Sequence, residues 1–498
     1  MSVEQMCCSV TVESSCSEKH HPAGSPLSCS GVVLSYQSGL VLCSGLLFSR
    51  FLLDKQCIRL NPNRLSPHKF SNNIQIYIDY LEESVTRCTS KSSIRPGCPT
   101  RRKAADLLMM INCLEFQVAF QKLFTESELW KFTDLDEDNK NIYDLNFLSW
   151  FAILQMTTDS QVDPVPWIKS TALAKGRSVV ACGSPFGSLC PDLFMSTLSK
   201  GIVSNLAGEE NALILTDARC LPGTQGGGLF VNDGDTAYLV GLIASPLCWR
   251  SSNWIGLTLV CSLHLILENI LQTASSFQSR GEILPHSFTD ISRVTTHQRS
   301  ENENYPMVVV VNCGQVWGSG IVLNPCLVVT CRHVVSEGQF LTITLNIGQR
   351  SQTVNSKVLY STKNSSPYDI AVVQLQKPLS HVTVPQISTT FMPGEDVLVL
   401  SYGALGKSCG PSLTSGILSR VVCLQNKPVM LQTTCAVNCG TSGGAVVRAK
   451  TGELLVSVLE PLLVRFAQSE DPAVFQDMDN AADEVTRVWR LQTPQSKL

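Results

Sequence analysis

The chain has 498 residues, of which 44% are hydrophobic and 16% are charged, so it can bury at least two cores and form two or three units. Its formal net charge is −3 at pH 7 and no long run of like charge stands out, which argues against a nucleic-acid partner. The longest uncharged apolar stretch, about 254–267, is too short to cross a bilayer comfortably, so no membrane span is expected. The first twenty residues lack the apolar core of a secretory signal, which argues against export.

Short runs rich in Val, Ile and Leu alternate with Gly, Pro, Asn and Ser turns, a pattern typical of antiparallel β-barrels. Helices are expected mainly at 103–123 and 262–271, so the fold class is all-β dominated. Polar and Pro/Ser-rich punctuation predicts the domain boundaries. The expected parts are a flexible N-terminus (1–28), a first module (29–275) with an inserted linker and helical segment (about 84–145), a linker (276–304), a second module (305–466) and a C-terminal tail (467–498).

The 21 cysteines are spread over a long chain without an export signal, so most are expected to be thiols. Cys435 and Cys439 are the closest approach to a metal-ligand pair, but no second Cys or His pair stands at a compatible spacing. Both are therefore expected to be small hydrophobes, and neither a metal nor an organic cofactor is expected.

The two halves of the chain match each other in the order of their motifs. The run 368–375 pairs with 149–156, two further motif pairs follow, and GTSGG at 440–444 pairs with GTQGG at 223–227. Ser442 lies 73 residues after Asp369, and Gln225 lies 75 residues after Trp150. One fold is therefore expected to occur twice, as two tandem double β-barrel modules.

The second half contains the three residue types that a serine nucleophile requires. His333 follows a strand-like run and is the candidate base, Asp369 opens the next apolar run and would orient the imidazole, and Ser442 is the candidate nucleophile. The glycines around Ser442 would let the backbone N–H groups of Gly440 and Ser442 point at a developing oxyanion. The order His, Asp, Ser is that of the chymotrypsin class, so a serine endopeptidase acting through an acyl-enzyme is expected.

The first half lacks these groups. Gln225 stands at the nucleophile position and Trp150 at the acid position, and no histidine lies near the base position expected around Ile58. The first module is therefore predicted to be degenerate. It would serve as a scaffold, a substrate platform or a regulator, or it would be a duplicate kept for folding.

Several longer motifs carry a family resemblance across nearly the whole chain. They are CGSPFG at 182–187, LTDARCLPGT at 215–224, VVTCRH at 328–333, SCGPS at 408–412 and the terminal Ser496-Lys497-Leu498. With these motifs the chain resembles the peroxisomal leader peptide-processing proteases, trypsin-domain proteins similar to the plant glyoxysomal Deg-type processing proteases. The resemblance implies trypsin-like (chymotrypsin/HtrA-type) modules and a peroxisomal matrix endopeptidase that removes leaders from imported precursors, with self-cleavage and self-association.

Two further positions bear on specificity and location. Ala436 lies six residues before Ser442, where trypsin-type enzymes keep an acid, so it is assigned to an S1 pocket for a neutral side chain. Ser496, Lys497 and Leu498 form the tripeptide that the peroxisomal import receptor reads at a C-terminus, and that receptor is an expected partner.

The second module is shorter than the first after its nucleophile. The helix after Gln225 is expected 37 residues later, whereas a helix-like segment, 457–463, begins 15 residues after Ser442. About 22 residues are missing, which corresponds to two late strands that wall the S1 pocket and close the barrel. The alternative function is therefore a catalytically impaired isoform that binds and regulates the full-length protease.

Overall fold

The computed structural model divides the chain into two units, Met1–Glu301 and Asn302–Leu498. No helix among the residues it describes is long and apolar enough to cross a membrane. The structure describes residues 2–14, 27–54, 56–81, 100–124, 130–132, 147–157, 164–187, 189, 193–246, 248–250, 253–278, 305–335, 340–347, 350–366, 368–388, 390–403, 405, 409–424, 426–455, 465–466, 471 and 473–491.

Strands make up most of the described part of the first unit. The strands are β1 Cys7–Ser14, β2 Leu27–Ser35, β3 Leu40–Ser44, β4 Arg64–Leu65, β5 Ile74–Leu81, β6 Thr100–Asn112, β7 Trp130–Lys131, β8 Trp150–Met156, β9 Ser178–Gly183, β10 Thr197–Ala207, β11 Leu213–Thr216, β12 Gly228–Asp233, β13 Thr236–Ser245, β14 Trp249–Arg250, β15 Asn253–Trp254 and β16 Thr258–Ser262. The α-helices are α1 Val3–Met6, α2 Cys57–Leu60, α3 Leu114–Leu123 and α4 Leu263–Gln278.

The first unit contains two barrels of antiparallel strands. In the first barrel the strand order is β6-β5-β1-β2-β3-β8, and pairing of β6 with β8 closes the ring. Val10, Val33 and Val41 fill its core together with Trp150, because alternate residues of each strand face inward. The second barrel is closed in the order β10-β11-β16-β13-β12-β9.

The second unit repeats this plan once in full and once in part. Its strands are β17 Val308–Cys313, β18 Val316–Asn324, β19 Leu327–Thr330, β20 Leu341–Ile347, β21 Arg350–Ser361, β22 Ala371–Leu375, β23 Asp396–Ser401, β24 Ser412–Leu424, β25 Lys427–Thr433 and β26 Ala445–Arg448, and its α-helix is α5 Ala473–Leu491. A closed barrel forms in the order β17-β18-β19-β22-β21-β20. The other four strands form an open sheet in the order β25-β24-β23-β26.

The open sheet is the half-barrel that the shortened sequence predicts. Leu454 pairs with Ile387 and with Val447, and in the first unit Leu239 of β13 pairs in the same way with Trp167 and Phe230. A counterpart of β13 therefore begins at Leu454. No full counterpart of β13 or β16 is present among the described residues of the second unit. The fold class is confirmed, including the incomplete second barrel.

Some local expectations differ from the structure. Residues 1–28 were expected to be flexible, but Cys7–Ser14 forms β1, which lies between β2 and β5. The inserted segment was expected to be linker and helix, but Thr100–Asn112 forms β6, and among the described residues of this segment Leu114–Leu123 is the helical part. The run Ala104 to Ile111 is rich in good helix formers, and long-range pairing of β6 with β5 and β8 outweighs that propensity.

The C-terminal tail also has structure. Helix α5 buries Val474, Met478 and Val485 in a core that includes Tyr368 and Val372 of the second unit. The period of about 3.6 residues places these three on one apolar stripe of the helix. The linker was expected at 276–304, but residues 276–278 still belong to helix α4, and 279–304 lie outside the described residues. The helix-like segment 457–463 also lies outside them.

Candidate active site

Strand pairing brings the candidate base and acid together. His333 lies in a 3₁₀ turn, Arg332–Val334, directly after β19, and Asp369 lies just before β22. The two strands pair with Thr330 opposite Ala371. The backbone N–H of His333 donates to Asp369 Oδ1 at 3.0 Å, and His333 Nδ1 is hydrogen-bonded to Asp369 Oδ2. With the proton on Nδ1, the opposite nitrogen Nε2 is the proton acceptor, as a general base requires.

Arg332 fixes the segment that carries the acid. Its Nη1 group donates to Thr362 Oγ1 and to the carbonyl oxygen of Tyr368, each at 3.2 Å. Its Nε lies 3.8 Å from Asp369 Oδ1. The hydroxyl of Thr362 in turn donates to the Tyr368 carbonyl oxygen at 2.7 Å. These bonds flank Asp369, so its carboxylate is held toward His333.

The loop that carries Ser442 is a tight turn fixed against β18. Ser319 donates its backbone N–H to the Ser442 carbonyl oxygen at 2.8 Å and its hydroxyl to the Gly440 carbonyl oxygen at 2.7 Å. Gly440 and Gly443 have φ values of 89° and 84°, in the region that favours glycine. A Cβ at Gly443 would lie 2.1 Å from the Ser319 carbonyl oxygen, so no other residue fits there without a shift.

The nucleophile loop reaches the segment that carries the base. A Cβ at Gly318 would lie 2.8 Å from Val334 Cγ2 and 2.9 Å from the Ser442 carbonyl oxygen. Gly318 therefore lies in contact distance of both the residue after His333 and the candidate nucleophile. The structure thus brings the Ser442 loop of the half-barrel next to the closed-barrel segments that carry His333 and Asp369, and the catalytic roles of the three residues remain a prediction.

Cys331 is a site residue that the sequence analysis missed. Its sulfur, one nitrogen of His333 and one carboxylate oxygen of Asp369 all lie within 4.8 Å of one another. Burial and the charge of Asp369 raise the pKa of Cys331 to about 11, although a hydrogen bond from the Gly443 backbone lowers it. The available signal was its place two residues before the base in Thr330-Cys331-Arg332-His333.

Ala436 remains the prediction for the S1 pocket. It is half-buried, and its carbonyl oxygen accepts a hydrogen bond from Thr414 Oγ1 at 2.8 Å. The two residues next to Ala436 in the chain differ in exposure: Cys435 is buried, whereas Val437 is 62% exposed. The oxyanion role of the Gly440 and Ser442 amides also remains a prediction. Residues 496–498 lie outside the described residues.

The first unit has the same loop without the chemistry. Ser30 donates its N–H to the Gln225 carbonyl oxygen at 3.0 Å and its hydroxyl to the Gly223 carbonyl oxygen at 2.9 Å. The φ values of Gly223 and Gly226 are 93° and 87°. The side-chain oxygen of Gln225 accepts the Gly223 N–H at 3.0 Å, so this amide folds back over its own loop.

Strand register identifies the other two positions of the first unit. Cys43 of β3 lies opposite Ala152 of β8, as Thr330 lies opposite Ala371 in the second unit. Counting from these pairs, Trp150 matches Asp369, as expected. Leu46, however, matches His333, so the search around Ile58 was misplaced. The first unit has leucine, tryptophan and glutamine at the three catalytic positions.

The half-barrel leaves the site more open than its counterpart. In the first unit β13 covers the loop, with bonds from Gly226 N to Ile243 O at 2.7 Å and from Ile243 N to Gly227 O at 2.8 Å. In the second unit the described part of the matching strand ends at Leu455. Trp150 is 1% exposed, whereas the side chains of Asp369 and His333 are 37% and 55% exposed.

Comparison with known proteins agrees with this geometry. The trypsin-like peptidase domain family matches residues 133–242 and 318–455. The peroxisomal leader peptide-processing protease of Mus musculus is 34% identical over an alignment of 548 residues, gaps included. The alignment covers 97% of this chain and 96% of the mouse protein. The human protein of the same name is 35% identical over 96% of this chain and 95% of its own length. The periplasmic serine endoprotease DegP of Salmonella typhimurium is 30% identical over 28% of each chain.

The resemblance that the sequence motifs carry is therefore confirmed over nearly the full length of both mammalian relatives. Strand order, the duplicated loop and the His333–Asp369 pair all agree with it. The chain belongs to the family of peroxisomal leader peptide-processing proteases, which carry trypsin-like peptidase domains.

Proposed function

We propose that the chain is a peroxisomal serine endopeptidase that removes N-terminal leader peptides from imported peroxisomal enzymes. The observation that carries the proposal is the hydrogen-bonded pair of His333 and Asp369 next to the glycine-flanked loop of Ser442. The names of the mouse and human relatives supply the location and the class of substrate.

The mechanism assigns one step to each residue. Ser442 Oγ attacks the scissile carbonyl carbon while His333 Nε2 takes the hydroxyl proton, and Asp369 stabilises the imidazolium that forms. The backbone N–H groups of Gly440 and Ser442 bind the oxyanion. His333 then protonates the leaving amine, and water releases the acyl group from Ser442 by the same sequence. Neither a metal nor an organic cofactor takes part in these steps.

The remaining parts of the proposal concern recognition. Ala436 would leave the S1 pocket without a charge, which suits a neutral residue before the scissile bond. Ser496, Lys497 and Leu498 would bind the import receptor. Self-association and self-cleavage, which the family resemblance implies, complete the proposed activity.

The test is incubation of the purified chain with a peroxisomal precursor that bears an N-terminal leader. Mass spectrometry of the new N-terminus measures cleavage, and Ser442→Ala is the matched control. Cleavage by the unsubstituted chain and not by Ser442→Ala would support the proposal. A folded chain that leaves the precursor intact, or equal cleavage by both proteins, would contradict it.

A second candidate function follows from the half-barrel. A chain whose second unit holds no full counterpart of β13 or β16 among its described residues would bind full-length subunits and regulate them without cleaving substrate. In the part of the chain that the structure describes, no strand pairs with the outer edge of β25, whose backbone groups could take part in such pairing. An active-serine probe separates the two: labelling that depends on Ser442 favours the endopeptidase, whereas no labelling together with stable binding to a full-length relative favours the regulator.

A further inference from the structure

Three side chains that could bind a metal ion lie close together at the candidate active site of the second unit. The sulfur of Cys331, a ring nitrogen of His333 and a carboxylate oxygen of Asp369 lie within 4.8 Å of one another. We propose that these three side chains form an inhibitory site for a zinc ion. The site goes beyond the proposed peptidase activity, which uses His333 and Asp369 and does not need Cys331.

The set of ligand atoms matches what zinc binds in proteins. Thiolate, imidazole and carboxylate are the common zinc ligands, and three of them with water in the fourth place make a familiar open site. The sulfur is held in place by its surroundings, because Cys331 is half-buried and accepts a hydrogen bond from the Gly443 backbone. Cys331 is therefore presented toward the catalytic pair by the fold.

The distances allow binding after a small movement. Ligand atoms at about 2.0–2.3 Å from a tetrahedral zinc ion are about 3.4–3.7 Å apart. The ligand atoms lie within 4.8 Å of one another, so the sulfur has to approach by no more than about an ångström, and the His333–Asp369 hydrogen bond has to open. Both side chains have room for this, since 55% of the His333 side chain and 37% of the Asp369 side chain are exposed. The same exposure admits the fourth ligand, water.

The local charges also permit a dication. The thiolate and the carboxylate together neutralise the two positive charges of zinc, and His333 is neutral when it binds. Arg332 opposes binding, because its Nε lies 3.8 Å from Asp369 Oδ1. Its Nη1 group donates instead to the oxygens of Thr362 and Tyr368, so this end of the guanidinium is already hydrogen-bonded.

Binding would remove the general base by changing its tautomer. Zinc takes the Nδ1 lone pair, so the ring proton moves from Nδ1 to Nε2, and the Cys331 thiol loses its proton to solvent. His333 Nε2 then carries a proton and cannot accept one from Ser442. Removal of the metal restores the original tautomer, so the inhibition is reversible and involves no redox step.

Cobalt absorption tests the site without relying on peptide hydrolysis. We expect the purified, reduced chain to bind Co²⁺ with a thiolate-to-cobalt charge-transfer band, and Zn²⁺ to displace it. In Cys331→Ser the absorption of this band should fall by the amount that one bound Co²⁺ per chain contributes. Cys326→Ser and Cys439→Ser are the matched controls, a half-buried cysteine of the same barrel and an exposed one near the nucleophile, and both should keep it. Circular dichroism checks that each variant folds.

Asp369→Asn provides a second, nearly isosteric variant. It should weaken Co²⁺ binding at least about tenfold. An unchanged band in Cys331→Ser, or an equal loss in Cys439→Ser, would overturn the proposal. If Cys331→Ser does not fold, unchanged affinity in Asp369→Asn would overturn it equally. A chain that shows the band but cleaves no precursor would contradict only the proposed endopeptidase.

Discussion

The backbone N–H of Ser319 donates to the carbonyl oxygen of Ser442 at 2.8 Å. Ser30 makes the same bond to Gln225 at 3.0 Å, although Gln225 has no nucleophilic side chain. A bond that recurs in a module without the catalytic residues serves the fold. The shape of the nucleophile loop is therefore a property of the duplicated fold, to which the second unit adds Ser442.

This reasoning predicts that Gly443 is a point of structural sensitivity. In Gly443→Ala the new Cβ would lie 2.1 Å from the Ser319 carbonyl oxygen and 2.5 Å from Thr330 Oγ1. Gly394→Ala is the matched control, because Gly394 has φ +91° but no atom within 4 Å of its Cβ. We expect the control to cost about 1–2 kcal/mol for its left-handed backbone. Gly443→Ala should cost about 1–3 kcal/mol more because of overpacking. Urea unfolding measures both, and equal losses would contradict the close approach.

A second prediction concerns the acid. Asp369→Asn keeps the shape of the side chain but no longer favours the Nδ1–H tautomer of His333, so kcat for precursor cleavage should fall by about 10⁴-fold. Asp396→Asn, at an exposed position at the start of β23, should leave kcat unchanged. Steady-state kinetics checks both variants. A fall of less than tenfold in Asp369→Asn would mean that His333 is held by other groups.

A third prediction concerns the first unit. Gln225→Ser supplies a hydroxyl on a loop of the correct shape, but Leu46 and Trp150 stand where a base and an acid are needed. The substitution should add no labelling by an active-serine probe when Ser442 is also replaced by Ala. Mass spectrometry of the labelled peptides gives the answer, and a modified residue 225 would show that the first unit retains a base.

How much the sequence predicts depends on the range of the interaction that fixes each feature. His333, Asp369 and Ser442 can be predicted from the sequence because each stands in a local motif of fixed shape. Leu46 was not found, because its position follows from the pairing of β3 with β8, residues far apart in the chain. Cys331 was missed for a similar reason, since its contacts with Asp369 and Gly443 form only when β19 meets β22 and the nucleophile loop.

The same distinction explains the errors in secondary structure. The local sequence of β6 favours a helix, and its neighbours β5 and β8 are separated from it by long stretches of chain. The N-terminal residues were expected to be flexible, although Cys8, Val10 and Val12 alternate along β1 as the inward face of a barrel strand requires. The incomplete barrel, in contrast, was predictable because the internal repeat shows how long a complete one is.

A fourth prediction concerns the end of the half-barrel. Arg448 of β26 bonds to Glu395 Oε2 at 2.6 Å and also pairs with Glu453, next to Leu454. Burial is the largest single effect and raises the pKa of Glu395, but the hydrogen bonds from Arg448 and the Met392 backbone and the charge of Arg448 together lower it by more, so the pKa is below the usual 4.5. Ionised Glu395 therefore stabilises the folded state at pH values above the pKa that it has in the unfolded chain. This contribution is lost as the pH falls through the pKa that it has in the folded chain.

Arg448→Ala should therefore reduce the free energy of unfolding at pH 7 by about 1–3 kcal/mol, because it leaves two carboxylates without their donor. The loss should be smaller at pH values below the pKa of Glu395. Arg465→Ala is the matched control, since its pair with Asp477 is about half exposed and should contribute less than about 1 kcal/mol. Urea unfolding at neutral and acid pH compares them, and similar losses in both variants would contradict the structural role of Arg448.

The last prediction tests the open edge itself by hydrogen exchange. Strand β11 pairs with β10 on one side and β16 on the other, whereas β25 pairs with β24 alone among the described residues. Amides of β25 that point away from β24 have no strand to protect them, so they should exchange much faster than those of β11. The two units can differ in overall stability, so the exchange rate of each strand is divided by that of a strand in the closed first barrel of the same unit. The reference strand is β3 for β11 and β19 for β25. Mass spectrometry after timed exposure to deuterated water gives both ratios. Protection of β25 equal to that of β11 would mean that another segment covers this edge, and the regulator hypothesis would lose its binding surface.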